Sequence, residues 1–274
     1  MAAPDHPRIA VVLGVSADIG VQLALRLLAD GWSVIGLSRS DERLAAISGH
    51  PGFRFQCCDP MDPASCAEAV TQLSRFGTRW RLFVSCIGSM EPIGKFFDLD
   101  FEAWEASFRL NSTAQLRVLH GLWPLREAAG ETHVMLMAGG GTNNPMTNYS
   151  AYCASKIALI KMCELIDDEE AGVNAFIIGP GFVQTRIHDE TLRAGAAAGA
   201  GLAKTQAFLA TPGTSHDDIY AHMTWCLARG REVAGGRNFS TVHDPWRDGG
   251  DALAADLERD PQAFRLRRRP AGAG

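Results

Sequence analysis

Nothing in this chain has the spacing of a metal site or of a redox pair. The seven cysteines include no C-x-x-C, and Cys57 and Cys58 are adjacent, a poor geometry for bridging each other. Cys86, Cys163 and Cys226 lie in apolar segments, so reduced, buried thiols are the simplest account, and they predict a cytoplasmic protein. The eight histidines show no H-E-x-x-H or related pattern, so no metal is expected. No apolar run is long enough to cross a bilayer. The first is broken by Gly14 and Asp18, and the leading MAAPDHPR has no apolar signal core. An excess of basic charge is also missing: the net charge is −5, and the run Arg265, Arg267, Arg268, Arg269 reads as a local, solvated tail. Neither a nucleic-acid nor a membrane partner is expected. There is no internal repeat and no linker that splits the chain.

What is present suits one sizeable globular core. The chain has 274 residues, 46% of them hydrophobic and 21% charged, enough for a core without help from disulfides. Short β-branched or apolar runs alternate with segments of helical periodicity. Strands are predicted over residues 9–13, 33–37, 53–57, 82–86, 134–137 and 173–178, with a seventh over 237–242. Helices are predicted over 19–28, closed by Gly31, then 42–47, 64–76 and 152–170, with one long helix or two joined ones over 101–127. Alternating strands and helices imply a parallel sheet covered on both faces, an α/β doubly wound fold of the Rossmann kind in one domain. That domain is expected to span 1–243. A C-terminal extension follows over 244–274, with Ala271–Gly274 expected to be disordered. The alanine- and glycine-rich stretch 194–203 reads as a poor helix or a mobile loop.

The first strand runs into Gly14-Val15-Ser16-Ala17-Asp18-Ile19-Gly20. A glycine turn there lets the backbone approach a pyrophosphate, and the following helix offers free N–H groups and the positive end of its dipole. The spacing fits G-x-x-x-G-x-G with Asp18 in place of the middle glycine. A carboxylate beside a pyrophosphate is unfavourable unless it turns away, so Asp18 is expected to cap the helix instead. The second strand ends at Ser38-Arg39, where a dinucleotide-binding fold meets the adenosine ribose. An acidic residue there would favour NAD. A guanidinium can instead hold the additional phosphate of NADP through charge-assisted bonds. Arg39 therefore predicts NADP, with NAD as the alternative cofactor and a solvated loop arginine as the bland reading. Asp59, after the third strand, is placed either to meet the adenine amine or to cap its own loop.

Tyr152-Cys153-Ala154-Ser155-Lys156 matches Y-x-A-S-K at the head of a long helix. Together with the glycine turn and with Pro180-Gly181 after the sixth strand, it makes the chain resemble the short-chain dehydrogenase/reductase family over about residues 8–243, in its shorter, single-domain branch. Residues four apart share a helix face, which puts Lys156 beside Tyr152. A free phenol has a pKa of about 10, and lowering it by about three units corresponds to about 4 kcal/mol, which an ammonium and an oxidised nicotinamide ring could supply. The resemblance implies that Tyr152 gives its proton to a carbonyl, or takes one from an alcohol. It implies that Lys156 holds the nicotinamide ribose, and that Asn111 helps place Lys156 and a relay water. It also implies that Pro180, Gly181, Val183 and Thr185, in P-G-x-x-x-T, fix the carboxamide and phosphates.

This sequence departs from the family in two places. Where the family has N-N-A-G after the fourth strand, the chain has Ser85-Cys86-Ile87-Gly88; the backbone turn at Gly88 is expected to survive with different side-chain bonds. The family's substrate-binding serine, thirteen residues before the tyrosine, falls on Gly139. Three readings stay open. Backbone N–H groups of Gly140 or Gly141 reach the substrate oxygen; Thr142 or Asn143 replaces the serine; or the chain binds a dinucleotide without turnover. The GGG run, with Asp244-Pro245-Trp246-Arg247 near the end, resembles a subgroup of these dehydrogenases and favours an adapted site. The sequence therefore predicts an NADP-preferring oxidoreductase acting on a small carbonyl or alcohol, and the resemblance implies a homodimer or homotetramer. The alternative is a dinucleotide-binding sensor or scaffold. A sugar substrate is a third reading, with Arg186, His188 and Trp246 as candidate contacts, each of which also reads as ordinary loop chemistry.

Overall fold

Seven short apolar segments pair into one sheet in the computed structural model, which describes residues 8–268. They are β1 (Ile9–Leu13), β2 (Ser33–Ser38), β3 (Phe53–Cys57), β4 (Leu82–Ser85), β5 (Thr132–Met137), β6 (Val173–Gly179) and β7 (Asn238–Ser240). Every pairing is parallel, in the order β3-β2-β1-β4-β5-β6-β7. The order reverses between β1 and β4, and a crevice opens there at the carboxyl ends of the strands.

Alternate side chains of each strand point to opposite faces, and both faces are covered. From β1, Ala10 and Val12 join the layer beneath α1 (Asp18–Ala29) and α8 (His216–Ala234), while Val11 and Leu13 join the layer beneath α2 (Pro63–Arg75), α4 (Thr113–Leu122) and α5 (Ser150–Glu169). This is the doubly wound α/β architecture expected from the alternation. The segment 101–127 is two helices, α3 (Phe101–Asn111) and α4, broken at Ser112 by φ −133° and ψ −83°.

Two stretches differ from expectation. Residues 42–47 form a chain of turns rather than a helix, with Ile47 N bonded to Leu44 O and Ser48 N to the same carbonyl. Leu44 and Ile47 are buried, which produced the helical spacing. Gly49, Pro51 and Gly52 leave too little room to propagate a helix past its costly first turn. The alanine-rich stretch is ordered as a 3-10 turn (Gly195–Ala198) leading into α7 (Ala200–Leu209), after α6 (Ile187–Ala194). α8 was not foreseen. Its signals are Ser215, whose Oγ accepts a bond from Asp218 N, and the spacing of Ile219, Met223 and Cys226.

The extension from Asp244 to Arg268 contributes to the core. Trp246 is buried and stacks on His222 at 4.6 Å, and α9 (Asp251–Arg259) packs Leu253, Ala254 and Leu257 into the layer beneath α8. The expectation for Ala271–Gly274 lies outside the described residues.

Candidate active site

The turn between β1 and α1 is built for close approach. Gly14 has φ +77°, and a Cβ on Gly20 would lie 2.2 Å from Gly14 O, so the first turn of α1 sits directly on the end of β1. Ser16 and Ile19 lie within this turn, facing a cleft of about 1750 Å³ along the carboxyl ends of the strands. Asp18 does not cap the helix: it is the first helical residue, and no side-chain cap bond is made at Ala17. Its carboxylate instead accepts from Arg43 Nη2 at 2.6 Å and from Arg186 N at 2.8 Å. Those partners are 25 and 168 residues away, and a guanidinium with a backbone N–H outcompetes the local cap.

At the adenosine end, Ser38 Oγ donates to Ser40 O at 2.7 Å, so that hydroxyl is already engaged. Arg39 is exposed and lines the cleft; its backbone carbonyl accepts from Cys57 Sγ at 3.5 Å, while its guanidinium makes no hydrogen bond or ion pair with the described residues. Asp59 accepts from Met61 N at 2.9 Å, the loop-capping role, while still lining the cleft.

At the other end the side chains of Asn111, Lys156 and Ile187 meet around Gly88. A Cβ there would lie 3.7 Å from Asn111 Oδ1 and 3.8 Å from Lys156 Nζ. Asn111 is fully buried at the last turn of α3; it accepts from Ser89 N at 2.9 Å and donates to Ser89 O at 2.8 Å. Lys156 donates to Met137 O at 3.1 Å and Ile87 O at 3.3 Å, and its Nζ stands 5.7 Å from the centre of the Tyr152 ring. Burial pulls the Lys156 ammonium down to about 8. The Tyr152 hydroxyl has no partner among the described residues. Burial, with Cys153 and Glu190 adding to it, pushes the phenol well above the ordinary tyrosine value.

The glycine run packs against the head of α5. A Cβ on Gly139 would fall 2.2 Å from Tyr152 Oη, and one on Gly141, at φ +84°, 2.3 Å from Cys153 Sγ. The tyrosine thus occupies space that any side chain at 139 would need. Gly140, Thr142 and Asn143 line the cleft nearby. After β6, Pro180, Gly181, Val183 and Thr185 form the opposite wall, with Thr185 Oγ1 donating to Val183 O at 3.3 Å.

Residues 8–196 match the family model described as short chain dehydrogenase. The chain belongs to that family. Its relatives include an uncharacterized oxidoreductase of Staphylococcus haemolyticus, 27% identical over 184 residues that cover 65% of this chain and 79% of the other. Among solved structures, a short chain dehydrogenase/reductase from Saccharomyces cerevisiae superposes with a TM-score of 0.77 at 19% identity, covering 90% of this chain and 98% of that one. A short chain dehydrogenase from Shigella flexneri, solved in complex with NADP, gives 0.71 at 20% identity, covering 86% and 97%.

This short chain dehydrogenase carries a feature at the substrate end that sequence reading missed. Glu190, on α6, accepts from Met90 N at 2.5 Å and from Ser89 Oγ at 3.2 Å, tying α6 to the loop that holds Asn111. Burial pushes its carboxyl above the usual range against the pull of the Met90 N–H. A separation of 100 residues gave no sequence signal. Of the candidate sugar contacts, Arg186 and His188 line the cleft, His188 stacking on Phe182 at 4.2 Å with Nε2 bonded to Val183 O, whereas Trp246 is buried against His222.

Proposed function

We propose that this dehydrogenase prefers NADP and interconverts a small carbonyl and a secondary alcohol, with Tyr152 as general acid and base. The observation that carries the reading is the meeting of Lys156 and Asn111 at Gly88, with Lys156 Nζ 5.7 Å from the centre of the Tyr152 ring, in a cleft that also presents an Arg39 guanidinium with no partner among the described residues. The residues fit a dinucleotide. Gly14 and Gly20 bring the N-terminus of α1 against the strand end, and the guanidinium donors of Arg39, unpaired among the described residues, can take a ribose phosphate. The bound cofactor supplies the hydride. A neutral phenol, as burial dictates for Tyr152, is the form that donates a proton to a carbonyl oxygen. Lys156, released from Met137 O and Ile87 O, can turn its ammonium toward the nicotinamide ribose and the phenol. Asn111 fixes the Ser89 backbone that forms the floor beside it. Pro180, Gly181, Val183 and Thr185 line the same cleft and would hold the carboxamide, and Asp59 would meet the adenine.

Cofactor choice provides one test. NADPH is expected to bind at least about tenfold more tightly than NADH, the scale of one charge-assisted contact. The margin should shrink in high salt, because Arg39 is exposed. Arg39→Asp should reverse the preference. Equal affinities in the unaltered protein, measured by titrating nicotinamide fluorescence, would remove Arg39 from the site.

The pH profile provides another. Burial lowers the Lys156 value to about 8, so the ammonium is present below that pH and lost above it. With NADPH saturating, kcat/KM for carbonyl reduction should be flat below about 8 and fall about tenfold per pH unit above it. A plateau extending to pH 10 would show that the charge on Lys156 is not needed.

A further inference from the structure

We propose that Asp18 is a positioning residue for the phosphates of the dinucleotide: its carboxylate gathers Arg43 from the β2–β3 connection and Arg186 from the segment after β6. The inference rests on the dinucleotide reading above and goes further, because it gives the one acidic residue in the glycine turn a favourable role. A carboxylate at the first position of α1 lies where the free N–H groups and the helix dipole would otherwise attract a phosphate. Alone it would compete with that phosphate.

It is not alone. Arg43, from the β2–β3 connection, reaches Asp18 Oδ1 at 2.6 Å and donates a second bond to Ser16 O at 2.7 Å, so its guanidinium is held on the turn itself. Arg186 follows Thr185 after β6; its backbone N–H bonds Asp18 Oδ2 at 2.8 Å, and its Nε lies 3.4 Å from Oδ1. Burial would raise the Asp18 carboxyl, but the Arg186 N–H and the Arg43 guanidinium outweigh it and lower the value, so the group stays ionised at neutral pH.

Counted as charges, the cluster is one anion and two cations. Both guanidinium groups keep donors to spare: Arg186 is 60% exposed and Arg43 is 40% exposed, and neither makes another ion pair among the described residues. The rim of the turn is therefore positive, with the Arg43 guanidinium fixed by two hydrogen bonds and that of Arg186 drawn to the same carboxylate. A preorganised guanidinium loses less rotamer entropy when it binds a phosphate oxygen.

The sign of one experiment decides the matter. Simple Coulomb reasoning says that removing a carboxylate beside a pyrophosphate tightens binding. The positioning role says the opposite, because the two arginines lose their anchor. NADPH dissociation constants should be measured for the unaltered protein and for Asp18→Asn and Asp18→Gly, at low and high salt. Melting temperatures should confirm that each variant is folded. Both variants are expected to bind about tenfold more weakly or worse, with a shallower salt dependence. Asp18→Asn should add little once Arg43→Ala and Arg186→Ala are already present. Unchanged or tighter binding by Asp18→Asn would overturn the proposal, as would a loss confined to Asp18→Gly, which would implicate backbone freedom. If the unaltered protein fails to bind NADPH, the dinucleotide reading itself falls and takes this inference with it.

Discussion

Replacing Tyr152 with phenylalanine is expected to cut turnover by about a hundredfold or more, the usual scale for a general acid–base group. The ring stays and only the hydroxyl goes. That hydroxyl has no bond to a described residue, so its loss breaks no structural contact. The melting temperature and NADPH affinity should therefore hardly move. Single-turnover reduction of a panel of ketones, read by NADPH absorbance, separates the chemical step from product release. If NADPH binds but no carbonyl is reduced by the unaltered protein, and Tyr152→Phe changes nothing, the chain is a dinucleotide sensor rather than a catalyst.

The second large effect is expected at Gly139. Restoring the family's serine by Gly139→Ser should lower activity instead of improving it. The new Cβ would fall 2.2 Å from Tyr152 Oη, 2.5 Å from Cζ and 2.7 Å from Cε1, distances that no relaxed contact allows. The phenol must then leave its place, and a displacement of about 1 Å at a reacting group can cost about a hundredfold in rate. Gly139→Ala is the control. Equal losses in both variants would assign the effect to volume; a loss in alanine that serine recovers would assign it to the missing hydroxyl. Full activity in Gly139→Ser would show that Tyr152 has room to move, and the close packing against Gly139 would then carry no functional weight.

The sheet was legible because its strands are short, apolar and separated by periodic helices, a pattern that local composition dictates. The Glu42–Ile47 segment was misread because two buried side chains, Leu44 and Ile47, imitate one helical turn, and spacing alone cannot count the hydrogen bonds. α8 was passed over although Ser215 marks its start; its apolar face is interrupted by His222, buried with Nδ1 on Thr241 Oγ1, and its backbone is kinked at Gly230. The site's members could be named from motifs, whereas their partnerships could not. Asp18 looked like a helix cap because its two real partners arrive from distant loops. The absence of a serine at 139 was plain, but only the folded backbone shows that Tyr152 takes up the space.

The C-terminal extension has a further consequence at the rim of the sheet. β7 is three residues long and is the last strand, and the N–H of Asn238 is bonded to Phe264 O at 2.8 Å. The chain returning after α9 thus occupies the border where another strand could dock. On the far border, β3 presents Arg54, whose guanidinium lies 4.0 Å over the ring of Phe76. A charge and a returning segment are two ways in which sheets resist uncontrolled growth. Another strand could pair at the β7 border only after the protein's own C-terminal chain had been stripped from it.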